Sequence, residues 1–328
     1  MTAPIVERRP RVRDEDLELH RRELTGYCYR MLGSGFDADD AVQETMVRAW
    51  RAADRFDGRS SLRSWLYRIA TNVCFDSLNG RRSRAMPMDM SAAPSAPVVE
   101  SLGTPLPETT WVEPVQDGSV LQESSDPADV MVARESVRLA FVAALQHLPP
   151  RQRAVLVLRE VLRWKADEVA DLLDTTVASV NSALQRARAT LATKAPRGKA
   201  PDPLDPEHVA LLQRYVEAFE RYDISALVAL LHEDATQCMP PWSLWLSGPQ
   251  DIGAWHLGPG GGCRGSRLVE LRVNGTTGFA QYKPSGEGDL VPWAIHLLEV
   301  ADGKITSITN FVGPRLFAAF GLPERLAV

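Results

Sequence analysis

The 328-residue sequence predicts a multidomain fold: two all-α domains joined by a linker, followed by an α+β domain. Three observations predict it. Apolar residues recur at helical spacing over 14–82 and again over 128–194. Between them, Pro87, Pro94, Pro97, Pro105, Pro107, Pro114 and Pro127 forbid a long helix. Beyond residue 207, two amphipathic stretches give way to strand-like runs. The length suits two or three domains, and the hydrophobic fraction of 45% is enough to build their cores.

The first helical block spans 14–82. Asp37, Asp39 and Asp40 crowd a helix start, where carboxylates meet the positive end of the dipole. Val42, Met46, Ala49 and Trp50 follow at helical spacing. Ser60 or Ser61 is placed to cap the next helix. Leu62, Trp65, Leu66, Ile69, Val73 and Cys74 form its stripe, and Gly80 is its stop. Residues 83–129 read as an extended, acidic, Pro-rich linker without a structure of its own. In 130–196 the spacing predicts helices again, with Val137, Ala140, Phe141, Ala144, Leu145 and Leu148 on one face. Two segments, Lys165–Leu173 and Val177–Lys194, flank the break Asp174-Thr175-Thr176, the pattern of a helix-turn-helix. A second linker, Ala195–Pro206, precedes the last domain, 207–328. There, helices are expected over His208–Arg221 and Ile224–Leu231, and strands over Arg267–Val273, Phe279–Tyr282, Trp293–Val300 and Lys304–Phe311. Asp302-Gly303 is a hairpin signal.

The net charge of −5 hides segregation. Residues 91–129 hold 7 acids and no base, residues 130–200 hold 12 Lys and Arg against 6 Asp and Glu, and residues 201–328 hold 9 against 15. The basic block coincides with the helix-turn-helix, where nucleic acid would bind. Cys28, Cys74, Cys238 and Cys263 make no CxxC pair, so reduced thiols in a cytoplasmic protein are expected, and neither a metal nor a cofactor. No apolar run reaches the ~20 residues of a membrane span. Met1–Arg13 is charged and reads as a frayed tail rather than a secretory signal.

In the second helix of the turn motif, Val177, Val180, Leu184, Ala187 and Leu191 face the core. Ser179, Asn181, Ser182, Gln185, Arg186 and Arg188 then face outward. Asn and Gln match an adenine edge and Arg matches guanine or phosphate, although a solvated polar face has the same pattern. Trp65, Tyr67, Arg68 and Asn72 mix aromatic and basic groups that suit unpaired bases. Trp65 also lies on the core stripe. Arg81, Arg82 and Arg84 make either a phosphate patch or a solvated helix end. In the last domain, Trp242, Trp255, Trp293 and His296 are candidates to line a ligand pocket, with Trp245 and His232-Glu233-Asp234 nearby in sequence. Glu233 and Asp234 equally suit a capped, solvated helix end. Gly258-Pro259-Gly260-Gly261-Gly262 reads as a loop without the Lys-Ser or Lys-Thr of a phosphate cradle.

Asp40-Ala41-Val42-Gln43-Glu44-Thr45, ending at Trp50, resembles the polymerase-docking helix of sigma-70-type factors. Leu62-Arg63-Ser64-Trp65-Leu66-Tyr67-Arg68-Ile69-Ala70-Thr71-Asn72 resembles their −10 segment, and Leu148-Pro149-Pro150-Arg151-Gln152-Arg153-Ala154-Val155 opens a unit similar to their region 4. Regions 2 and 4 without an intervening domain mark the extracytoplasmic-function (ECF) group. Trp111-Val112-Glu113-Pro114 and residues 207–328 resemble the subgroups with a SnoaL-like C-terminal domain, sigma-G-like in preference to sigma-J-like. The resemblance implies a non-catalytic subunit that binds core RNA polymerase and promoter DNA. Asp40, Gln43, Glu44, Arg48 and Trp50 would serve the polymerase; Trp65, Arg68 and Asn72 the −10 element; and Asn181, Ser182, Gln185, Arg186 and Arg188 the −35 element. The acidic linker would thread the polymerase channel. The C-terminal domain, a curved sheet around a pocket for a small-molecule ligand, would modulate activity in place of or beside an anti-sigma factor. Two positions depart from the family: Lys165 stands where a Ser or Thr cap is common, and Asn181 and Ala183 stand where relatives carry bases, so promoter sequence does not transfer. A polymerase-independent ligand-gated regulator and a cyclase with a DNA-binding appendage are the rival readings.

Overall fold

The computed structural model describes residues 12–122, 126–194 and 205–327. The tail expected to fray, up to residue 11, and most of the second linker, 195–204, lie outside them. The chain divides into two units: Met1–Ser83 with Gly118–Ala195, and Arg84–Asp117 with Pro196–Val328.

The first unit is built of helices α1 (Asp14–Glu18), α2 (Arg21–Leu32), α3 (Gly35–Ala52), α4 (Leu62–Leu78), α5 (Pro127–Glu135), α6 (Leu139–Gln146), α7 (Pro150–Leu156), α8 (Ala166–Leu172) and α9 (Val177–Lys194). Local chemistry sets their ends. Gly33, at φ 73°, closes α2 in the left-handed conformation that glycine adopts without strain. Ser34 caps α3 through Asp37 N, Ser61 caps α4 through Ser64 N at 3.1 Å, and Asp126 caps α5 through Ala128 N at 2.8 Å. α4 buries Leu66, Tyr67, Val73 and Cys74, while Leu62, Trp65 and Ile69 of the expected stripe are half-buried. A π turn, Val157–Val161, prolongs α7.

The second unit holds α10 (Pro206–Glu220), α11 (Ile224–Ala229), β1 (Leu231–Cys238), β2 (Trp245–Ser247), α12 (Gly248–Leu257), β3 (Arg267–Val273), β4 (Thr276–Pro284), β5 (Asp289–Ala301), β6 (Lys304–Val312), α13 (Arg315–Ala319) and β7 (Leu326–Ala327). The sheet runs β2-β1-β6-β5-β4-β3, with β7 on β5. β1 and β6 are parallel and the other pairs antiparallel. Asp302-Gly303 turns β5 into β6 with both residues at positive φ, as expected. Asn274-Gly275 does the same between β3 and β4, a signal the sequence reading passed over. Tyr215 and Phe219 of α10 and Trp255 of α12 pack on Phe279, Leu298 and Ile308 of the sheet.

Three expectations are corrected. His232-Glu233-Asp234 is on strand β1 rather than at a helix end, because Leu231–Cys238 finds a parallel partner in β6. The glycine loop is a 3-10 turn, Pro259–Cys263. The largest correction concerns the acidic linker. Arg84–Asp117 forms short helical turns at Pro87–Met90, Val99–Leu102 and Glu108–Thr110 and belongs to the second unit. Its backbone is tied there: Ser95 N donates to Trp245 O (2.7 Å), Leu106 N to Pro241 O (2.9 Å) and Asn274 N to Val115 O (3.0 Å). Trp111, Val112 and Val115 are buried, and that burial supplies the order an isolated Pro-rich segment lacks. We refer to this segment as the strap.

Candidate nucleic-acid interface

The turn between α8 and α9 rests on Asp174, at φ 49°, a conformation that Asp tolerates better than most side chains. Ser179 N donates to the Thr176 hydroxyl (3.2 Å), so Thr176 caps α9. At α8, Lys165 gives no side-chain cap. The Glu168 carboxylate accepts from Lys165 N at 2.7 Å instead, which offsets the missing Ser or Thr. α9 buries Val180, Ala183, Leu184, Ala187 and Leu191. Val177, expected in the core, is 42% exposed, since a first-turn residue projects past the partner helix. Asn181, Ser182, Gln185, Arg186 and Arg188 are all exposed along the opposite face. Arg188 is also paired with Glu160 at 2.5 Å.

On α3, Asp40, Gln43, Glu44 and Trp50 are exposed, and Arg48 bridges Glu44 (2.7 Å) and Asp76 (3.1 Å). Trp50 is 64% exposed and Val47 39%, so Val47 and Trp50 put apolar surface in water at i, i+3 spacing, beside the polar Gln43. Val47 was missed because Val inside a helix reads as core. On α4, Asn72 and Arg68 are exposed, and Trp65 leans on Phe56 with ring centroids 5.1 Å apart. Arg68 Nη2 donates to the Asp171 carbonyl of α8 at 2.8 Å. Beside it, the Arg63 guanidinium lies 5.1 Å from the Tyr67 ring and 5.3 Å from that of Trp164. The two helical halves are thus in contact through α4 and α8.

Residues 17–84 match the family Sigma-70 region 2, residues 138–191 match Sigma-70, region 4, and residues 212–308 match the SnoaL-like domain. Over 318 residues the chain is 47% identical to the ECF RNA polymerase sigma factor SigG of Mycobacterium tuberculosis, covering 94% of this chain and 83% of that one. This chain is an ECF RNA polymerase sigma factor. It is also 29% identical to SigJ of M. tuberculosis, over 95% of each chain. The crystal structure of that SigJ shares the fold, with a TM-score of 0.60 at 22% identity, covering 95% of this chain and all of the other. As a sigma factor it binds core RNA polymerase and promoter DNA in transcription initiation, and it is a non-catalytic subunit. Among the described residues, no helix is long and apolar enough to cross a membrane, and no group of three or more His, Cys, Asp or Glu is placed to hold a metal.

Two buried arginines join the halves of the sigma module, and periodicity had not singled out either as a site. Arg30 of α2 donates to Ser136 O (3.1 Å) and Ser136 Oγ (2.6 Å) at the end of α5, and to Gly26 O (2.6 Å). Arg153 of α7 donates to Met31 O at the end of α2, to Gln146 Oε1 (2.6 Å), and to Gln146 O and Leu148 O (each 3.1 Å) past the end of α6. Helix C-termini carry unpaired carbonyls and partial negative charge, so they serve where carboxylates are absent. Burial lowers both guanidinium pKa values to about 10, which leaves them charged at neutral pH.

Inside the C-terminal domain, His296, Asn310 and Phe279 are paired across β6, β5 and β4 and so share a face, with Gln237 of β1 opposite Ile308. His296 Nε2 donates to Gln281 Oε1 (2.9 Å) and its Nδ1 accepts from the Tyr215 hydroxyl (2.9 Å). His256 Nε2 donates to Gln237 Oε1 (3.1 Å). Burial lowers the pKa of His256 to about 4. Burial, with a contribution from His256, lowers that of His296 to about 3. Gln237 Nε2, His256 Nδ1 and Asn310 Oδ1 are buried without a hydrogen-bond partner among the described residues. Trp255 and Trp242 border this interior. Trp293 sits at the irregularity in the β4–β5 pairing, between Ala294 and Pro292, with Lys283 Nζ 3.4 Å from its ring centroid, and is not among the residues of that core.

Proposed function

We propose that the sigma factor, acting in the cytoplasm, alternates between a closed sigma module and an open one that engages polymerase. Asp40, Gln43, Glu44, Arg48 and Trp50, joined by Val47, dock on the core enzyme. Trp65, Arg68 and Asn72 melt and hold the −10 element, where flipping a base costs a few kcal/mol that stacking must offset. Asn181, Ser182, Gln185, Arg186 and Arg188 read the −35 groove. The observation that carries this reading is the hydrogen bond from Arg68 to the Asp171 carbonyl. That bond takes one donor of the Arg68 guanidinium, so giving the whole group to DNA calls for α4 and α8 to part. The arginine joint suits that motion, since each guanidinium exchanges neutral carbonyls for water. The C-terminal domain, holding the strap between regions 2 and 4, modulates the opening. A small neutral ligand among His256, Gln237 and Asn310 would shift the balance only by binding the two states unequally.

The test is transcription with core polymerase on a randomised promoter library. Gln185→Ala or Arg186→Ala should relax preference at one or two −35 positions, by about 1–3 kcal/mol for each lost base contact. Spin labels at the exposed Asn79 and Thr193 should move apart when core polymerase is added. Unchanged promoter preference in both variants would leave the α9 face as a solvated surface, and an unchanged distance would refute the opening.

A further inference from the structure

Trp164 belongs to region 4 but not to its outward α9 face; it stands in the loop between the π turn and α8. Region 4 fixes that loop by itself. Trp164 N donates to Leu158 O (3.0 Å), Arg159 Nη1 donates to Trp164 O, and Arg163 is held at φ 56°, a left-handed conformation unfavourable for a long side chain. The loop delivers the indole to region 2. Trp164 is 5% exposed there, with its ring centre 5.1 Å from that of Tyr67, tilted by 56°, and 5.3 Å from the Arg63 guanidinium. Its indole N–H has no hydrogen-bond partner among the described residues, so no hydrogen bond breaks when the ring leaves. The surface it covers belongs to region 2 alone. Arg63 and Tyr67 are one turn apart on α4, and both donate to the Glu23 carboxylate of α2, Arg63 Nε at 2.8 Å and the Tyr67 hydroxyl at 3.3 Å. The three side chains thus form a ledge tied together without help from region 4. Arg68 follows Tyr67 directly on α4. A flat ring held against a tyrosine and a guanidinium has the partners that an unpaired base takes from a protein that binds single strands.

We propose that Trp164 stands in for an unstacked promoter base: in the closed module its indole occupies the ledge of Arg63 and Tyr67, and in the open one a base of the non-template strand takes its place. One ring fills the ledge, so Trp164 and single-stranded DNA compete for it. The indole leaves the charge of Arg63 unused by any phosphate, and 40% of that side chain is exposed. A strand therefore adds a phosphate contact that the indole lacks. The indole, for its part, is tethered in the same chain and present at high effective concentration, which keeps stray single strands off the ledge. The exchange during initiation rests on the opening proposed above, whereas the ledge as a site for a base does not.

The experiment uses the full chain, with random-sequence DNA single strands of about 12 nucleotides as the probe. Trp164→Leu keeps apolar volume and removes the π face. It should bind the probe at least about fivefold more tightly than the parent chain by fluorescence anisotropy, the low end of what stacking one base on a ring is worth. Trp164→Phe keeps a ring and should gain less. Arg63→Gln, added to Trp164→Leu, should take the gain away. A second reading needs only the parent chain labelled with fluorotryptophan, its Trp164 fluorine resonance identified by its loss in Trp164→Phe. That resonance should be shielded from solvent in the free chain and should acquire a solvent isotope shift at saturating probe. If Trp164→Leu does not fold, this reading decides alone. No tighter binding in folded Trp164→Leu, a gain that survives Arg63→Gln, or a resonance that stays shielded with the probe bound would each overturn the proposal. Core polymerase then tests the opening separately. Labels at Asn79 and Thr193 that move apart while the Trp164 resonance stays shielded would sink the stand-in and keep the opening. Labels that stay in place would sink the opening and the exchange during initiation, and the probe alone would then decide the ledge.

Discussion

The helix joint of the sigma module and the sheet interior of the C-terminal domain bury polar groups in different ways. In the sigma module, Arg30 and Arg153 are charged, and their donors meet carbonyls at the ends of α2, α5 and α6, with Gly26 O, the Ser136 hydroxyl and the Gln146 side chain completing the set; Arg153 Nε has no partner among the described residues. In the C-terminal domain the buried groups are neutral imidazoles and amides, and Gln237, His256 and Asn310 each keep one atom unpaired. A buried charge survives only where fixed dipoles replace its water, so Arg30 and Arg153 require helix ends brought together. Neutral groups tolerate an incomplete set, and an incomplete set is what a water or a ligand can fill. One cluster is a joint between helices; the other is an interior with free hydrogen-bonding capacity.

Removing the joint should produce the largest effect. Arg153→Ala strips donors from Met31 O, Gln146 and Leu148 O together, and should destabilise the sigma module by about 3–5 kcal/mol in urea unfolding. A loss below about 1 kcal/mol would mean water enters the joint freely. Acid should discriminate next. The two histidines have folded pKa values of about 4 and about 3, below the unfolded value of 6.5. Their contribution is complete above pH 6.5 and declines as pH falls toward the folded values, because the unfolded chain takes up the protons first. Between pH 6.5 and 5.5 the C-terminal domain should lose about 1 kcal/mol for each histidine, and His296→Phe should flatten that slope. Equal acid sensitivity in this variant would remove the histidines from the account.

Smaller effects sharpen the contrast. Asn310→Leu removes an unpaired carbonyl oxygen and should change thermal stability by less than about 1 kcal/mol, in either direction. A loss as large as that of Arg153→Ala would show that the C-terminal interior is as complete as the joint. Arg68→Ala, at an exposed site, should leave stability within about 0.5 kcal/mol. Promoter opening, read by permanganate reactivity of −10 thymines, should nevertheless fall. Unimpaired opening would return Arg68 to a role in the closed state alone.

The sequence by itself determined the local elements. The stripes of α4 and α9 repeat every three to four residues, Ser61 announces a helix start, and Asp302-Gly303 announces a hairpin. These signals need no partner elsewhere in the chain. Exposed faces followed from the same geometry, so Asn181, Gln185 and Arg186 were legible once α9 was. Only the tertiary structure decided the rest. β1 has no clean alternation and becomes a strand because β6 pairs with it. The strap is ordered because Asn274 and Trp245 meet its backbone. Arg30 and Arg153 look like surface residues until the ends of α2, α5 and α6 converge on them. In each case the deciding free energy comes from residues distant in sequence. Periodicity records which face is apolar, but not what will cover it.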